Sequence, residues 1–235
     1  MSKDHGLHIA VLVSSFFLLL SCQKGTPSNA SPPNPETLVI VEGQPVTDHD
    51  GNVYRTIKIG NQTWTAENLR STHFSDGTSV QSFCYNNEIA NAQQYGRLYR
   101  WAAAMRNAAS SNSNPSRVQG VSPAGWHLPS DAEWQELINN LGGSAVAGGK
   151  LKTTDTLTWL GPNAGATNES KFNAIAAGFY RVDDVFMDMR ERAIFMTATG
   201  NSTAVMVRTL RSSSAEIVSG QFHPQDAGSV RCVKD

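Results

Sequence analysis

A run of twelve residues near the N-terminus, Ile9–Leu20, sets where the fold can begin. Ten of the twelve are apolar, and the other two are serines. A helix that crosses a bilayer needs roughly 20 apolar residues, whereas a run of about this length is typical of the hydrophobic part of a signal peptide. We therefore predict that residues 1–21 are a signal peptide and take no part in the fold.

The apolar run ends in Leu19-Leu20-Ser21-Cys22, which resembles the bacterial lipobox. In that signal the Cys thiol takes a diacylglyceryl group, and cleavage then exposes its amine to a further acyl chain. Leu20 departs from the pattern, because a smaller residue is more usual there. The alternatives are a secretory peptide that merely ends in Cys, or a buried hydrophobic helix. The resemblance predicts lipid attachment at Cys22, and two or three acyl chains anchor a protein stably.

The segment after the lipobox predicts a flexible tether over residues 22–37. Gln23–Glu36 contains four prolines and no large apolar residue, so it cannot build a core. Gln23 stands where an Asp would resemble an inner-membrane retention signal. We therefore expect a lipid-anchored protein of the bacterial outer membrane, which lies on either its periplasmic or its outer face.

Residues 38–235 are enough for one sizeable core, and 40% of the chain is hydrophobic. The 19 basic and 20 acidic side chains give a net charge of −1. A near-neutral chain has no electrostatic footprint for phosphate backbones, so the composition disfavours nucleic acid as a partner.

Periodicity predicts strands first and helices second. Val53–Gly60 and Thr63–Leu69 alternate across a Gly60-Asn61 turn, which favours a hairpin. A helix is predicted over Tyr95–Ala109 from apolar spacing. A second is predicted after Ser130, since Glu133 follows three residues later as in a capping box, and it should end at Gly142-Gly143.

The remainder predicts a long polar loop and further strands. Residues 142–170 are rich in Gly, Thr, Asn and Ser, and we expect mostly irregular structure there. Strand patterns return at 172–180, 194–199, 204–210 and 229–233. This order predicts the α+β class, with two helices packed on an antiparallel sheet and a long irregular loop region.

Four blocks of sequence together resemble the Fibrobacter succinogenes major paralogous domain, a family of secreted and lipid-anchored bacterial proteins. The blocks are DGNVYRTIKIGNQTWTAENL (Asp50–Leu69), YGRLYRWAAAM (Tyr95–Met105), GWHLPSDAEWQEL (Gly125–Leu137) and SVRCVKD (Ser229–Asp235). The resemblance implies a relative of the C-type lectin-like fold, with the termini close together in the sheet. It brings no established activity. The HLPSDAEW stretch is also similar to one in formylglycine-generating and related sulfatase-modifying proteins.

Two cysteines remain after the lipidated one, Cys84 and Cys232. An exported chain meets an oxidising compartment, so we predict that they form a disulfide. The alternatives are two unpaired inert thiols, or a reactive pair that performs redox chemistry.

No pattern in the chain predicts a catalytic residue, a metal ligand set or a cofactor. The histidines have no zinc spacing. His127 is interpreted as a structural hydrogen-bonding residue. Asp48–Asn52 opens like a calcium loop, but it lacks the later ligands and favours a turn.

Trp159 lies in the polar loop and is the best sequence candidate for a ligand contact, with Asn163 and Asn168 nearby. The alternative is that its ring packs the loop onto the domain. The leading hypothesis is a non-catalytic module that binds a glycan or an envelope or surface protein through its loops. The rivals are an enzyme of the formylglycine-generating type and a purely structural envelope component.

Overall fold

Short helices and two β-sheets make up the computed structural model, which describes Met1 and residues 39–235. The predicted signal peptide, Cys22 and the tether lie outside the described residues. The strands are β1 Ile40–Thr47, β2 Val53–Ile59, β3 Gln62–Thr65, β4 Tyr99–Arg100, β5 Trp126–His127, β6 Ala177–Tyr180, β7 Phe186–Met189, β8 Arg192–Gly200, β9 Val205–Arg211, β10 Ile217–Phe222, β11 Ala227–Gly228 and β12 Val233–Lys234. The helices are α1 Ile89–Tyr95, α2 Trp101–Met105, α3 Asp131–Asn140 and α4 Ser144–Leu151, with a 3₁₀ turn at Tyr85–Asn87. Among the described residues, no helix combines the length and the apolar character that a membrane span requires.

The first sheet is antiparallel, with the strand order β1-β2-β3-β12-β5. Its β2–β3 hairpin pairs Ile57 with Trp64 and Ile59 with Gln62, which confirms the predicted hairpin. The register of β1 against β2 shifts between Gly43 and Val46. A Cβ at Gly43 would lie 2.3 Å from the hydroxyl of Thr56, so only glycine allows this close approach.

The second sheet is mixed. Its order is β10-β9-β8-β6-β11-β4, with β7 paired to β6. The β6–β8 pair is parallel and the other ladders are antiparallel. The α+β class is therefore confirmed, while the expected all-antiparallel sheet holds only for the first sheet. Strands β7 and β10 were not predicted from the sequence.

Helix α3 begins where the capping box predicts. The Ser130 hydroxyl accepts a hydrogen bond from the Glu133 amide, and the Glu133 carboxylate accepts one from the Ser130 amide. The buried face of the helix comprises Glu133, Trp134, Leu137 and Ile138, and the chain turns away at Gly142 with a φ of 96°.

The predicted helix over 95–109 is wrong in extent. Helix α1 ends at Tyr95, because Gly96 adopts a φ of 83° that leaves the helical region. Leu98 then pairs with Phe83, and Tyr99–Arg100 pairs with β11, so the chain is extended there. Only α2 is helical in this block. The pairing partners lie far away in sequence, which explains why local periodicity missed the break.

The predicted loop over 142–170 contains a helix, α4, that the sequence did not indicate. Its interior holds Gly148 and Gly149, which lower helix propensity. A Cβ at Gly148 would lie 2.5 Å from the carbonyl oxygen of Glu216, and one at Gly149 would lie 2.1 Å from that of Gly165. The glycines therefore let neighbouring backbone approach α4 closely, and this packing outweighs the weak propensity.

Two large apolar clusters form the core. One surrounds Tyr54, Tyr99 and Met105, and the other joins the buried faces of α3 and α4 to Trp64, Phe172 and Phe195. Within the second cluster Trp134 stacks on Phe195, with ring centroids 5.2 Å apart.

Candidate functional site

Three adjoining cavities form a groove along β2, the segment after β3 and the loop before β6. The first has a volume of about 490 Å³, the second about 290 Å³ and the third about 160 Å³. The first and second share Arg55 and Asn173 in their linings, and the second and third share Arg70 and Gln93. We call this continuous depression the polar groove.

Amide and charged side chains dominate the lining of the polar groove. The first cavity is bordered by Glu42, Thr56 and Lys171, the second by Glu67, Asn68 and Gln94, and the third by Asp50, Asn52 and Arg97. Such a surface offers many hydrogen-bond donors and acceptors.

A pair of asparagines shapes one wall of the groove. The side-chain amide of Asn168 donates to Oδ1 of Asn173 at 2.7 Å, and the backbone amide of Asn173 donates back to Oδ1 of Asn168 at 3.1 Å. Both residues and the intervening Lys171 have positive φ, of 51°, 54° and 58°. Asn tolerates this left-handed region better than most residues, and the turn leaves the Lys171 side chain exposed at the groove.

The floor of the groove is held by Arg231, which is completely buried. Its guanidinium donates to Oδ1 of Asn68 and to the carbonyl oxygens of Thr65, Phe172 and Asn173, at 2.7 to 3.0 Å. Burial lowers the pKa of Arg231 to about 9. One side chain thus ties the Asn168–Asn173 turn to the end of β3, so the groove is preformed.

A buried carboxylate, Asp48, fixes the far end of the groove. It accepts hydrogen bonds from the hydroxyls of Tyr54 and Ser71 and from the backbone amide of Asn52. Burial, followed by the hydrogen bond to Asp48, raises the pKa of Tyr54. The Asp48–Asn52 segment is therefore the predicted turn, and its first carboxylate is fully engaged by protein groups.

Two of the acidic groups at the groove are also engaged. Glu67 accepts from Arg55 Nε at 2.9 Å in an exposed ion pair. Asp50 accepts from the amide and hydroxyl of Thr72 and contacts the ring of His73. Burial alone would raise the pKa of Asp50, but the contacts with Thr72 and His73 outweigh burial and lower it.

Trp159 is not at the surface, which corrects the prediction that it is a ligand contact. Only 1% of it is exposed, and it belongs to the apolar cluster around Phe172. Its indole Nε1 donates to the carbonyl oxygen of Ala174 at 2.9 Å, and Lys152 Nζ lies 5.2 Å from the ring centroid. The ring packs the loop onto the domain, as the alternative interpretation held.

The two asparagines predicted beside Trp159 occupy different places. Asn168 lines the polar groove, whereas Asn163 donates from its amide to the carbonyl oxygen of Thr153 at 2.8 Å and is absent from the groove lining. The structure therefore separates the three predicted ligand-binding residues, and of the three Asn168 alone lines the polar groove.

Lys152 explains how the long loop stays attached to the second sheet. Its buried ammonium donates to the carbonyl oxygens of Ala164, Arg211 and Ser214 at 2.8 to 3.0 Å. Burial lowers the pKa of Lys152 to about 8. All three N–H groups are used by the backbone, so this lysine is structural.

The predicted Cys84–Cys232 disulfide is absent, and both residues are buried free thiols. Cys232 belongs to the apolar cluster around Tyr54 and Tyr99, whereas Cys84 precedes the 3₁₀ turn and is not part of that cluster. Burial raises the pKa of Cys232 to about 12. The lipidation site, Cys22, lies outside the described residues.

His127 has the structural role that the sequence predicts. Its Nε2 lies 2.6 Å from Glu133 and its Nδ1 lies 2.7 Å from Asp235. Burial opposes protonation, but the hydrogen bonds and charges of the two carboxylates outweigh burial and raise the pKa of His127. The imidazole therefore links α3 to the end of β12. Among residues 39–235 no group of three His, Cys, Asp or Glu side chains is arranged to hold a metal ion.

The sequence does not predict a row of four aromatic side chains at the surface. Phe83 and Tyr180 lie 4.4 Å apart between ring centroids, Tyr180 and Phe186 4.5 Å, and Phe186 and Tyr85 5.2 Å. All four rings are half-buried and share an apolar cluster with Tyr95, which lines the groove. Their sequence neighbours carry no common motif that would have indicated this row.

The groove residues were missed for a similar reason. Arg55 alternates with buried Tyr54 and Thr56 on β2, and this pattern marks it as solvent-facing. Only the tertiary structure shows that it adjoins Asn173, which lies in another loop.

A comparison with protein families identifies a match over most of the chain. The model of the Fibrobacter succinogenes major domain matches residues 57–234. No curated protein and no solved structure matches the chain. The matched span includes most of the groove lining, from Ala66 through Gln93 to Asn173, while Glu42 and Arg55 precede it.

Proposed function

The chain belongs to the Fibrobacter succinogenes major domain family, as its sequence blocks predict, and we propose that it acts as a non-catalytic binding module. Its ligand is a glycan, held in the polar groove. The module is anchored to the bacterial outer membrane through a lipid on Cys22. The observation that carries the proposal is the preformed groove with amide and charged side chains along its lining, since ligand sites are concave and carry convergent polar groups.

The side chains of the groove suit hydroxyl groups. Gln93 and Gln94 each present an amide, which both donates and accepts hydrogen bonds. Sugar hydroxyls have the same dual character. Arg231 and the Asn168–Asn173 pair already hold the wall of the groove in place. Binding of a ligand would therefore cost the protein little further conformational entropy.

The state of the thiols supports a binding role over the enzymatic rival. A redox or nucleophilic cysteine needs an accessible thiolate, whereas burial raises the pKa of Cys232 to about 12. Cys84 is also buried and lies outside the cluster that contains Cys232.

The relation to the C-type lectin-like fold is part of the same proposal. Its support is that β12, near the C-terminus, lies in one sheet with β1, the first described strand. A second support is the set of short helices, with α3 packed against β8 and β9.

The proposal is tested with the full chain, purified in detergent micelles and screened against purified polysaccharides and envelope proteins. Gln93→Ala removes an exposed amide that borders two of the cavities. We expect it to weaken glycan binding about fivefold, since one net hydrogen bond contributes about 1 kcal/mol. Gln135→Ala is the matched control, because Gln135 is an exposed glutamine on α3 and does not line the groove.

Three results would count against this function. One is that no polysaccharide binds, and another is that Gln93→Ala and Gln135→Ala bind equally well. The third is that the screen retains an envelope protein and no glycan, which would favour a protein ligand.

A further inference from the structure

The polar groove carries more positive than negative side chains at its surface. Its surface cations are Arg55, Arg70, Arg97 and Lys171, and its carboxylates are Glu42, Asp50 and Glu67, so four positive side chains face three negative ones although the whole chain has a net charge of −1. Of these four cations, Arg55 forms an ion pair, with Glu67. The other three form none within residues 39–235: Arg70, Arg97 and Lys171. Three cations of the groove therefore lack a protein carboxylate among the described residues.

Neutral protein groups hold the two arginines in place. Arg70 lies over the ring of Tyr54, 5.0 Å from its centroid, and donates from Nη2 to the carbonyl oxygen of Val53 at 3.2 Å. Arg97 donates from Nη1 to the hydroxyl of Ser82 at 3.3 Å. A guanidinium has five N–H donors, so most donors of each arginine remain available to a ligand.

One of these free donors is buried. Arg70 Nε has no exposed surface and no hydrogen-bond partner among the described residues. Because Nε is shielded from solvent, a ligand in the groove would contact Arg70 through its Nη donors.

We propose that the ligand of the groove is an acidic polysaccharide, with oxyanions that pair with Arg70, Arg97 and Lys171. This inference rests on the proposed function, in which the groove is the glycan site. Arginine binds carboxylates and sulfates through paired N–H donors, and lysine binds them as a point charge. Charges repeated along a sugar chain match cations that are spread over three adjoining cavities.

An acidic peptide fits the same surface less well. Peptides in extended grooves are recognised through pockets for alternate side chains and through main-chain pairing at a sheet edge. The polar groove instead presents amides beside its cations, such as Gln93 and Gln94. These groups match hydroxyls that lie between acidic groups.

The test compares polymers that differ only in charge. The full chain in detergent micelles is titrated with polygalacturonate and with the same polymer after complete methyl esterification. Dextran sulfate distinguishes sulfate from carboxylate, and poly-glutamate represents an acidic peptide. We expect polygalacturonate or dextran sulfate to bind at least tenfold more tightly than the esterified polymer, with the advantage falling as salt rises.

Two charge-matched variants separate the groove from general electrostatics. Arg97→Gln with Lys171→Gln removes two groove cations, and we expect at least a tenfold loss of affinity for the acidic polymer. Arg117→Gln with Arg211→Gln removes two exposed cations that do not line the groove, and should change affinity less than twofold. Equal losses in the two variants would overturn the inference.

The remaining outcomes separate this inference from the function on which it rests. If the esterified polymer binds as tightly as the acidic one, the groove takes a neutral glycan and only the inference fails. If poly-glutamate binds more tightly than either acidic polysaccharide, the ligand class is wrong. If no polysaccharide binds at all, the proposed function fails as well.

Discussion

Replacing Trp159 with alanine tests whether this residue belongs to the core or to a binding surface. The side chain is 1% exposed and packs in the cluster with Phe172. Removing a buried Trp side chain costs about 3–5 kcal/mol. The hydrogen bond from Nε1 to Ala174 is also lost, but that carbonyl keeps a second donor, the amide of Thr153 at 3.0 Å. No orphaned acceptor is left, so we expect a loss of about 4 kcal/mol.

The expected loss is large enough for a simple unfolding assay. For a domain of this size, 1 kcal/mol corresponds to roughly 2–4 °C in Tm, so Trp159→Ala should lower the Tm by roughly 8–16 °C. Urea unfolding followed by the fluorescence of the other tryptophans gives the free energy directly. The control is Leu157→Ala, two residues away in the same loop and 72% exposed. It should change stability by less than about 0.5 kcal/mol.

Binding measured below the transition completes the test. Trp159→Ala should leave the affinity for an acidic polysaccharide within about threefold of wild type, because the ring does not line the groove. A Tm within about 3 °C of wild type together with lost binding would refute the reasoning. It would place the indole at the ligand.

Three further predictions concern side chains outside the groove. His127→Leu leaves the Glu133 carboxylate buried without its cationic partner, and we expect a loss of about 3–5 kcal/mol in urea unfolding at pH 6. The folded-state pKa of His127 is raised, so the stability that the charged imidazole contributes is fully present below about pH 6.5. This stability is lost as the pH rises through the raised pKa, and the difference in unfolding free energy between wild type and variant should therefore narrow. Cys84 and Cys232 should resist a thiol reagent in the native protein, and both should react after unfolding without reductant; zero thiols in that second measurement would show the bridge that the structure lacks. Cys22→Ala should abolish the incorporation of labelled palmitate, and unchanged labelling would show that the lipid is elsewhere.

Local signals in the sequence located the elements that depend on neighbouring residues alone. The Ser130–Glu133 capping box placed the start of α3, because both hydrogen bonds of the box form within one helical turn. The Gly60-Asn61 turn placed the β2–β3 hairpin for a similar reason. The family blocks and the α+β class also followed from the sequence.

Elements whose stability comes from distant partners were mispredicted. The helix predicted over 95–109 is interrupted, since Leu98 pairs with Phe83 and the next two residues pair with β11. Helix α4 forms in spite of Gly148 and Gly149, because Gly148 allows the backbone at Glu216 to approach closely and Gly149 allows that of Gly165. Local propensity contains no information about either partner.

The sequence by itself predicted the cellular location and the family of this protein, and it showed that the loop before β6 is polar. Only the tertiary structure decided which side of that loop faces water. Trp159 is buried because Phe172 and Ala174 return beside it, while Asn168 and Lys171 are turned toward Arg55 by their positive φ and by the hydrogen bonds of Arg231 to the loop. A ligand site of this kind joins side chains from separate loops, so its composition depends on contacts that no local pattern encodes.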